Sequence, residues 1–166
     1  MSRFFALPVG LVFYHPVVLV ATWFGAGLIR PGPGTWGSLA AVPFAFAIVH
    51  FLGATVLAFT ALVVFIVGIW ASSRYCVAAG TEDASEVVVD EVAAMWLVFA
   101  ALPMSPINWL AGFALFRIFD IWKPWPIRIV ERRFKSGLGV MADDVVAAIY
   151  AVITFIFLDI LIMVAL

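Results

Sequence analysis

The stretch GPGTWGSLAAVPFAFAIVHFLGATVLAFTALVVFIVGIWASS, Gly32 to Ser73, holds one histidine and no acidic or basic residue. A hydrocarbon core of roughly 30 Å takes about 20 helical residues to cross. The stretch is too long for one span and slightly short for two full ones. Gly53 near its middle predicts a hairpin, with arms Leu39–Leu52 and Ala54–Ala71. The first arm is short enough to require tilting, partial entry or local thinning of the bilayer.

A second apolar pair, Val92–Leu102 and Ile107–Phe116, is interrupted by Pro103-Met104-Ser105-Pro106. Two prolines three apart break a continuous helix. Each arm is too short to span alone, so a re-entrant or protein-buried helical hairpin is expected. Val145–Leu166 is the cleanest span, with one acid, Asp159. Leu11–Ile29 is apolar too, but His15-Pro16 and its glycines weaken it as a helix. Arg3 ahead of an apolar region also fits a secretory signal cleaved near Gly25-Ala26-Gly27.

Composition agrees with this pattern. Of 166 residues, 66% are apolar and 11% charged, against about 45–50% and about 25% in soluble globular chains. Disorder, a nucleic-acid module and a water-soluble enzyme fit poorly. The net charge of −1 offers no field to a polyanion. A single cysteine, Cys76, excludes a disulfide framework or a cysteine zinc site. The expected fold is one all-α domain over residues 1–166, a polytopic membrane helical bundle with short or re-entrant hairpins.

Charges sort by side. All basic residues except Arg3 lie in or beside the connections around 30–38, 73–91 and 117–144. If both apolar pairs are hairpins, these connections share one face. The positive-inside rule makes that face cytoplasmic.

Three connecting stretches carry the possible chemistry. Arg30–Ser38 contains G-x-G-x-x-G by letter at Gly32, Gly34 and Gly37, but has no evident preceding strand and no P-loop lysine. A simpler reading has glycines exposing backbone N–H groups and Thr35 or Ser38 capping the next helix. A helix N-terminus favours phosphate; a plain capped turn fits equally. Thr81–Glu91 holds five of the ten acids. On a helix, Asp83, Glu86 and Asp90 would share a face at i, i+3 and i+7, although Val87-Val88-Val89 also fits extended chain. Packed carboxylates need a cation or proton between them, and oxygen ligands suit Mg²⁺; the alternative is a solvated acidic loop. In the third stretch Arg117, Asp120 and Lys123 lie one helical turn apart, as a phosphate clamp would or as an interfacial ion pair flanked by Trp122 and Trp125.

Ile127, Val130 and Phe134 then form an apolar stripe opposite Arg128, Arg132 and Lys135, the pattern of an interfacial amphipathic helix. Asp143-Asp144 opens the final span, as a complement to the helix dipole or as part of a metal site. His15, His50 and Cys76 read as packing residues. Asp159, costly in lipid, is left outside the site.

These motifs together resemble the phosphatidylglycerophosphatase A family. The resemblance runs through Pro-Gly-Thr-x-Gly-Ser at Pro33–Ser38, Val-x-Asp-Glu at Val88–Glu91, Phe-Arg-x-Phe-Asp-x-x-Lys-Pro-x-Pro-Ile at Phe116–Ile127 and Gly-x-Gly-Val-Met-x-Asp-Asp at Gly137–Asp144. Ala94 and Ser136 depart from glycines common in such sequences, which bears on packing more than on charge. The resemblance implies a bacterial inner-membrane, Mg²⁺-dependent phosphatase with a cytoplasm-facing site. Such enzymes hydrolyse phosphatidylglycerophosphate to phosphatidylglycerol and inorganic phosphate, the last step of that lipid's synthesis.

On this basis the expected metal ligands are Glu86, Asp90, Glu91, Asp143 and Asp144. Catalysis is expected from Asp83, Asp90, Glu91, Arg117, Asp120 and Lys123. Phosphate is expected at Gly34, Thr35, Gly37, Ser38, Arg117 and Lys123. The expected partners are the lipid substrate and membrane lipid, with no nucleic acid. The rival readings are an ion-coupled transporter, whose charges should sit at the midplane within spans, and a Mg²⁺-dependent lipid headgroup transferase, which needs a second substrate pocket.

Overall fold

Gly32 takes a left-handed backbone (φ 73°) and Pro33 follows as the first helical residue, where its missing N–H costs nothing and its fixed φ suits the helix. Helix α2 therefore begins there and runs Pro33–Leu52, after a short α1 at Pro16–Ala21. Gly53 (φ 90°) ends α2, and α3 runs Ala54–Ala79 to a left-handed Gly80. The hairpin about Gly53 stands, but its first arm is six residues longer at its start than Leu39–Leu52. From Pro33 on the glycine-rich stretch is helix, not loop, so α2 is about 30 Å long, enough to span without thinning the bilayer.

The computed structural model describes residues 7–8, 10–125, 127 and 137–165. Among them are six α-helices and no strand. The proline interruption separates α4, Val89–Ala101, from α5, Pro106–Trp122. Ser105 caps α5 by accepting from the Asn108 amide at 3.2 Å, with Pro106 behind it. At 13 and 17 residues these helices reach about 20 and 26 Å, short of a bilayer core. Of the two, α4 is buried in protein, packing on α2, α3, α5 and α6 (Gly137–Ala165) at the centre of the bundle, whereas α5 leaves Ile107, Leu110, Ile118 and Ile121 exposed.

Helix α6, Gly137–Ala165, is 29 residues long. It starts eight residues before the expected Val145, so Asp143 and Asp144 lie well inside it. Too far from the N-terminal amides to complement a dipole, they serve a different purpose. Helices α2, α3 and α6 are each long and apolar enough to cross a membrane.

Small residues recur in the interior, including Ala41, Ala45, Ala61, Ala71, Ala147 and Ala151, beside a few large ones such as Phe99 and Phe116, while Phe59, Ile66, Ile153 and Phe157 face outward. Lipid tails are as apolar as leucine, so packing of small side chains, not burial of large ones, brings membrane helices together. Where α4 carries a large polar-tipped residue, it is satisfied: the Trp96 indole N–H donates to the Ala41 carbonyl at 3.0 Å.

Leu11–Ile29 is not a span. It folds as α1 and a single 3₁₀ turn at Ala26–Leu28, with His15 capping α1 through its ring nitrogen. Val17, Val18 and Ala21 are buried against α3, and the Ala21 carbonyl accepts from the Val88 amide at 2.8 Å. A cleavage near Gly25 would remove Val17, Val18 and Ala21 from this cluster. The amphipathic segment expected after Ile127 lies outside the described residues.

Candidate active site

Four helix ends meet around one cavity of about 800 Å³. Gly32–Gly34 come from the start of α2, Asp90 and Glu91 from the first turn of α4, and Arg117, Asp120 and Lys123 from the end of α5. Gly139, Val140, Asp143 and Asp144 come from α6, and Glu82 and Asp83 from the loop before α4. Sequence-distant charges thus converge at one end of the bundle, as the two-hairpin arrangement requires.

Asp90, Glu91 and Asp144 form the tightest group, with one carboxylate oxygen of each within 4.8 Å of the others. Asp90 and Asp144 are buried. The Asp90 Oδ1 accepts from the Glu91 backbone amide at 3.0 Å, whereas Glu91 Oε2 and Asp144 Oδ2 are buried without hydrogen-bond partners. Burial, followed by the charge of neighbouring Glu91, raises the Asp90 carboxyl well above the ordinary range. Burial likewise pushes Glu91 up to about 8, with Asp144 and Asp120 adding to the rise while bonding to Asp90 and the charge of Arg117 oppose it. Buried carboxylates at this spacing repel unless a proton or cation lies among them. Oxygen-only donors with unused lone pairs fit a hard divalent cation such as Mg²⁺.

The charge balance makes the same point. Seven carboxylates and two cationic side chains line the cavity. A phosphate would enter so acidic a pocket only with protons or further cations among the carboxylates.

Arg117 ties the walls together. Its Nη1 donates to Asp120 at 2.6 Å and lies 3.8 Å from Glu91, while Nη1 and Nη2 reach Ser38 and Thr35 hydroxyls at 3.4 Å. Its Nε is buried with no hydrogen-bond partner among the described residues. Lys123 turns the chain in a left-handed conformation (φ 46°) and pairs with Asp143 at 2.7 Å.

Several expected site residues take other places. Thr35 and Ser38 stand behind Arg117 instead of capping a helix, and Ser38 Oγ bonds back to the Gly34 carbonyl. The Thr35 and Trp36 amides are already spent on the Gly32 carbonyl, and those of Gly37 and Ser38 lie within the helix, so a cradle of Thr35–Ser38 amides is not available, while Gly34 lines the cavity. Gly37 serves packing: a β-carbon there would overlap Val88. Residues 80–88 are not helical, so Asp83 and Glu86 share no helical face with Asp90. Glu86 instead pairs with Arg30 at 2.5 Å, outside the cavity lining. No spacing signal links residues 56 apart, and Glu82 in the lining was likewise missed.

The Arg30–Glu86 pair is partly exposed, and such pairs contribute ~0–1 kcal/mol. Glu86→Gln is therefore expected to change kcat/KM for phosphate release by less than about twofold. A loss as large as that of a cavity carboxylate would return Glu86 to the site.

A family model described as Phosphatidylglycerophosphatase A matches residues 19–159. A Haemophilus influenzae protein named Phosphatidylglycerophosphatase A is 45% identical over 141 residues, covering 84% of this chain and 86% of the relative. An Escherichia coli protein of the same name is 39% identical over 136 residues, covering 81% and 78%. A Bacteroides thetaiotaomicron protein, provisionally named a phosphatidylinositol-3-phosphatase, is 44% identical over 144 residues, covering 82% and 89%. No solved structure matches the chain significantly.

Proposed function

The chain belongs to the phosphatidylglycerophosphatase A family, and from that premise we propose that it hydrolyses phosphatidylglycerophosphate to phosphatidylglycerol and inorganic phosphate. The proposed setting is the bacterial inner membrane, with the cavity on the cytoplasmic side and Mg²⁺ as cofactor. One observation carries the reading: three clustered, largely buried carboxylates open onto the same cavity as Arg117 and Lys123.

Asp90, Glu91 and Asp144 would hold Mg²⁺, with Asp143 beside them on α6. When bound, the ion supplies a Lewis acid for water and for phosphate oxygens. Arg117 presents a fixed positive charge to a phosphate in the cavity, its fork held in register by Asp120, Thr35 and Ser38. Lys123 adds a second positive group, positioned by Asp143. A phosphoryl-transfer transition state spreads charge over equatorial oxygens, so fixed cationic donors and orientation supply most of the catalysis. Burial of the carboxylates keeps bulk water from screening these interactions.

Purified protein in detergent should release phosphate from phosphatidylglycerophosphate with Mg²⁺, fall to background in EDTA and recover when Mg²⁺ is restored. Equal release in EDTA would remove the metal from the reading. No release under any condition would remove the substrate.

The charges line one end of the bundle rather than a path along its middle, which favours hydrolysis over ion-coupled transport.

A further inference from the structure

Beyond Arg117 the cleft between α2 and α5 changes character. On α5, Phe113, Leu110 and Pro106 lie four, seven and eleven residues before Arg117, on the same helical face. On α2, Leu39, Val42 and Phe46 continue the face that brings Thr35 and Ser38 to Arg117. The two helices pack on α4 rather than on each other. They leave an apolar cavity of about 430 Å³ along this line, its wall including Phe99 of α4 stacked on Trp109 at 4.3 Å between ring centroids. The sides are open, with Leu110 70% exposed.

The dimensions and polarity suit one kind of occupant. From Arg117 to Pro106 is eleven residues of α5, about 16 Å, and the apolar cavity lines this path from Phe113, one turn past Arg117, to Pro106. Half of a ~30 Å hydrocarbon core, the depth of one leaflet, is nearly the same length. The charged cavity stands at one end of this path and the separate apolar cavity begins one turn beyond it, which suits an amphiphile with an anionic head.

We infer that this groove holds one acyl chain of a phosphate-bearing lipid whose headgroup occupies the carboxylate cavity. The inference rests on the proposed substrate reading and extends it to how the lipid is aligned. A chain moving from bilayer to groove exchanges one apolar surrounding for another, so it gains little affinity from burial. Its contribution is orientation: a tail fixed along α5 limits the positions open to the phosphate beside Arg117.

Val42→Trp and Leu110→Trp fill the groove from either side without touching the charged cavity. Each is expected to lower kcat/KM for a long-chain diacyl substrate about tenfold. Hydrolysis of a water-soluble short-chain analogue should stay within about twofold, since nothing of it reaches the groove. Equal effects on both substrates, or none on either, would overturn the groove's role.

A second measurement needs no turnover. Phosphatidic acid with a mid-chain diazirine, irradiated with the full-length protein in lipid nanodiscs, should label 39–46 and 106–113 in preference to the outer faces of α3 and α6. Phosphatidylcholine carrying the same chain should show no such preference. Identical patterns from both probes, or labelling undiminished in the tryptophan variants, would overturn the inference. A wild type that labels as expected yet releases phosphate from neither substrate would remove the phosphatase reading and keep the groove.

Discussion

Glu91→Gln should lower phosphate release from phosphatidylglycerophosphate by on the order of a thousandfold, the upper range for loss of one electrostatic group at a reacting centre. Glutamine keeps the shape of the side chain, so the surrounding packing has no reason to change. It removes one of three oxygens that lie within 4.8 Å as a charged ligand and leaves a neutral amide near Arg117, 3.8 Å away. Asp90→Asn should act in the same direction. Turnover near wild type in both would displace this cluster from the centre of the reaction.

Stability should move the other way, which separates a catalytic loss from a folding defect. Without metal, Glu91 titrates near 8 in the folded protein, against about 4.3 when unfolded. Between those values the folded state holds the proton more tightly, so the Glu91 contribution to stability falls as pH rises from about 5 to about 8. In EDTA, the melting temperature of the wild type in detergent should fall across that range, and Glu91→Gln should flatten the fall. A variant that melts well below wild type at pH 8 would mean that the lost activity reports misfolding.

The contrast between Glu91 and Glu86 shows how far a sequence carries such an argument. Spans and breaks are governed by local chemistry: Gly53, the Pro103–Pro106 pair and the uncharged run of 42 residues are each visible in a window of a few tens of residues. The α2–α3 hairpin, the break between α4 and α5 and the final helix were legible for that reason. Helix starts were read less well. Gly34 and Gly37 suggested a loop, yet both sit in α2 because Glu91 and Val88 approach so closely that no side chain fits. That is a tertiary reason, absent from propensity. Clustering of acids was legible as an unusual charge density, but which acid faces inward depends on where residues 80–88 turn. The partner that draws Glu86 outward, Arg30, lies far away in sequence.

Gly34→Ala carries the second large effect, and local preference points the opposite way. Gly34 is the second residue of α2, where alanine is the better helix former by ~0.5–1 kcal/mol. An alanine β-carbon there would overlap Glu91 Oε1 and come within 3.3 Å of Arg117 Nη1. The backbone of α2 is held by its packing on α4, so the Glu91 side chain must yield, taking one metal-facing carboxylate and the Arg117 fork out of register. A displacement near 1 Å at reacting groups costs on the order of a hundredfold. The expected result is kcat/KM reduced by about that factor with melting temperature in detergent unchanged or slightly raised. Because the methyl group acts through Glu91, the two changes should not add: in a Glu91→Gln background, Gly34→Ala should lower the residual rate by less than about threefold. A full hundredfold further loss there would show that Gly34 works on the substrate directly, and that the close approach of α2 to Glu91 is not what aligns the carboxylates.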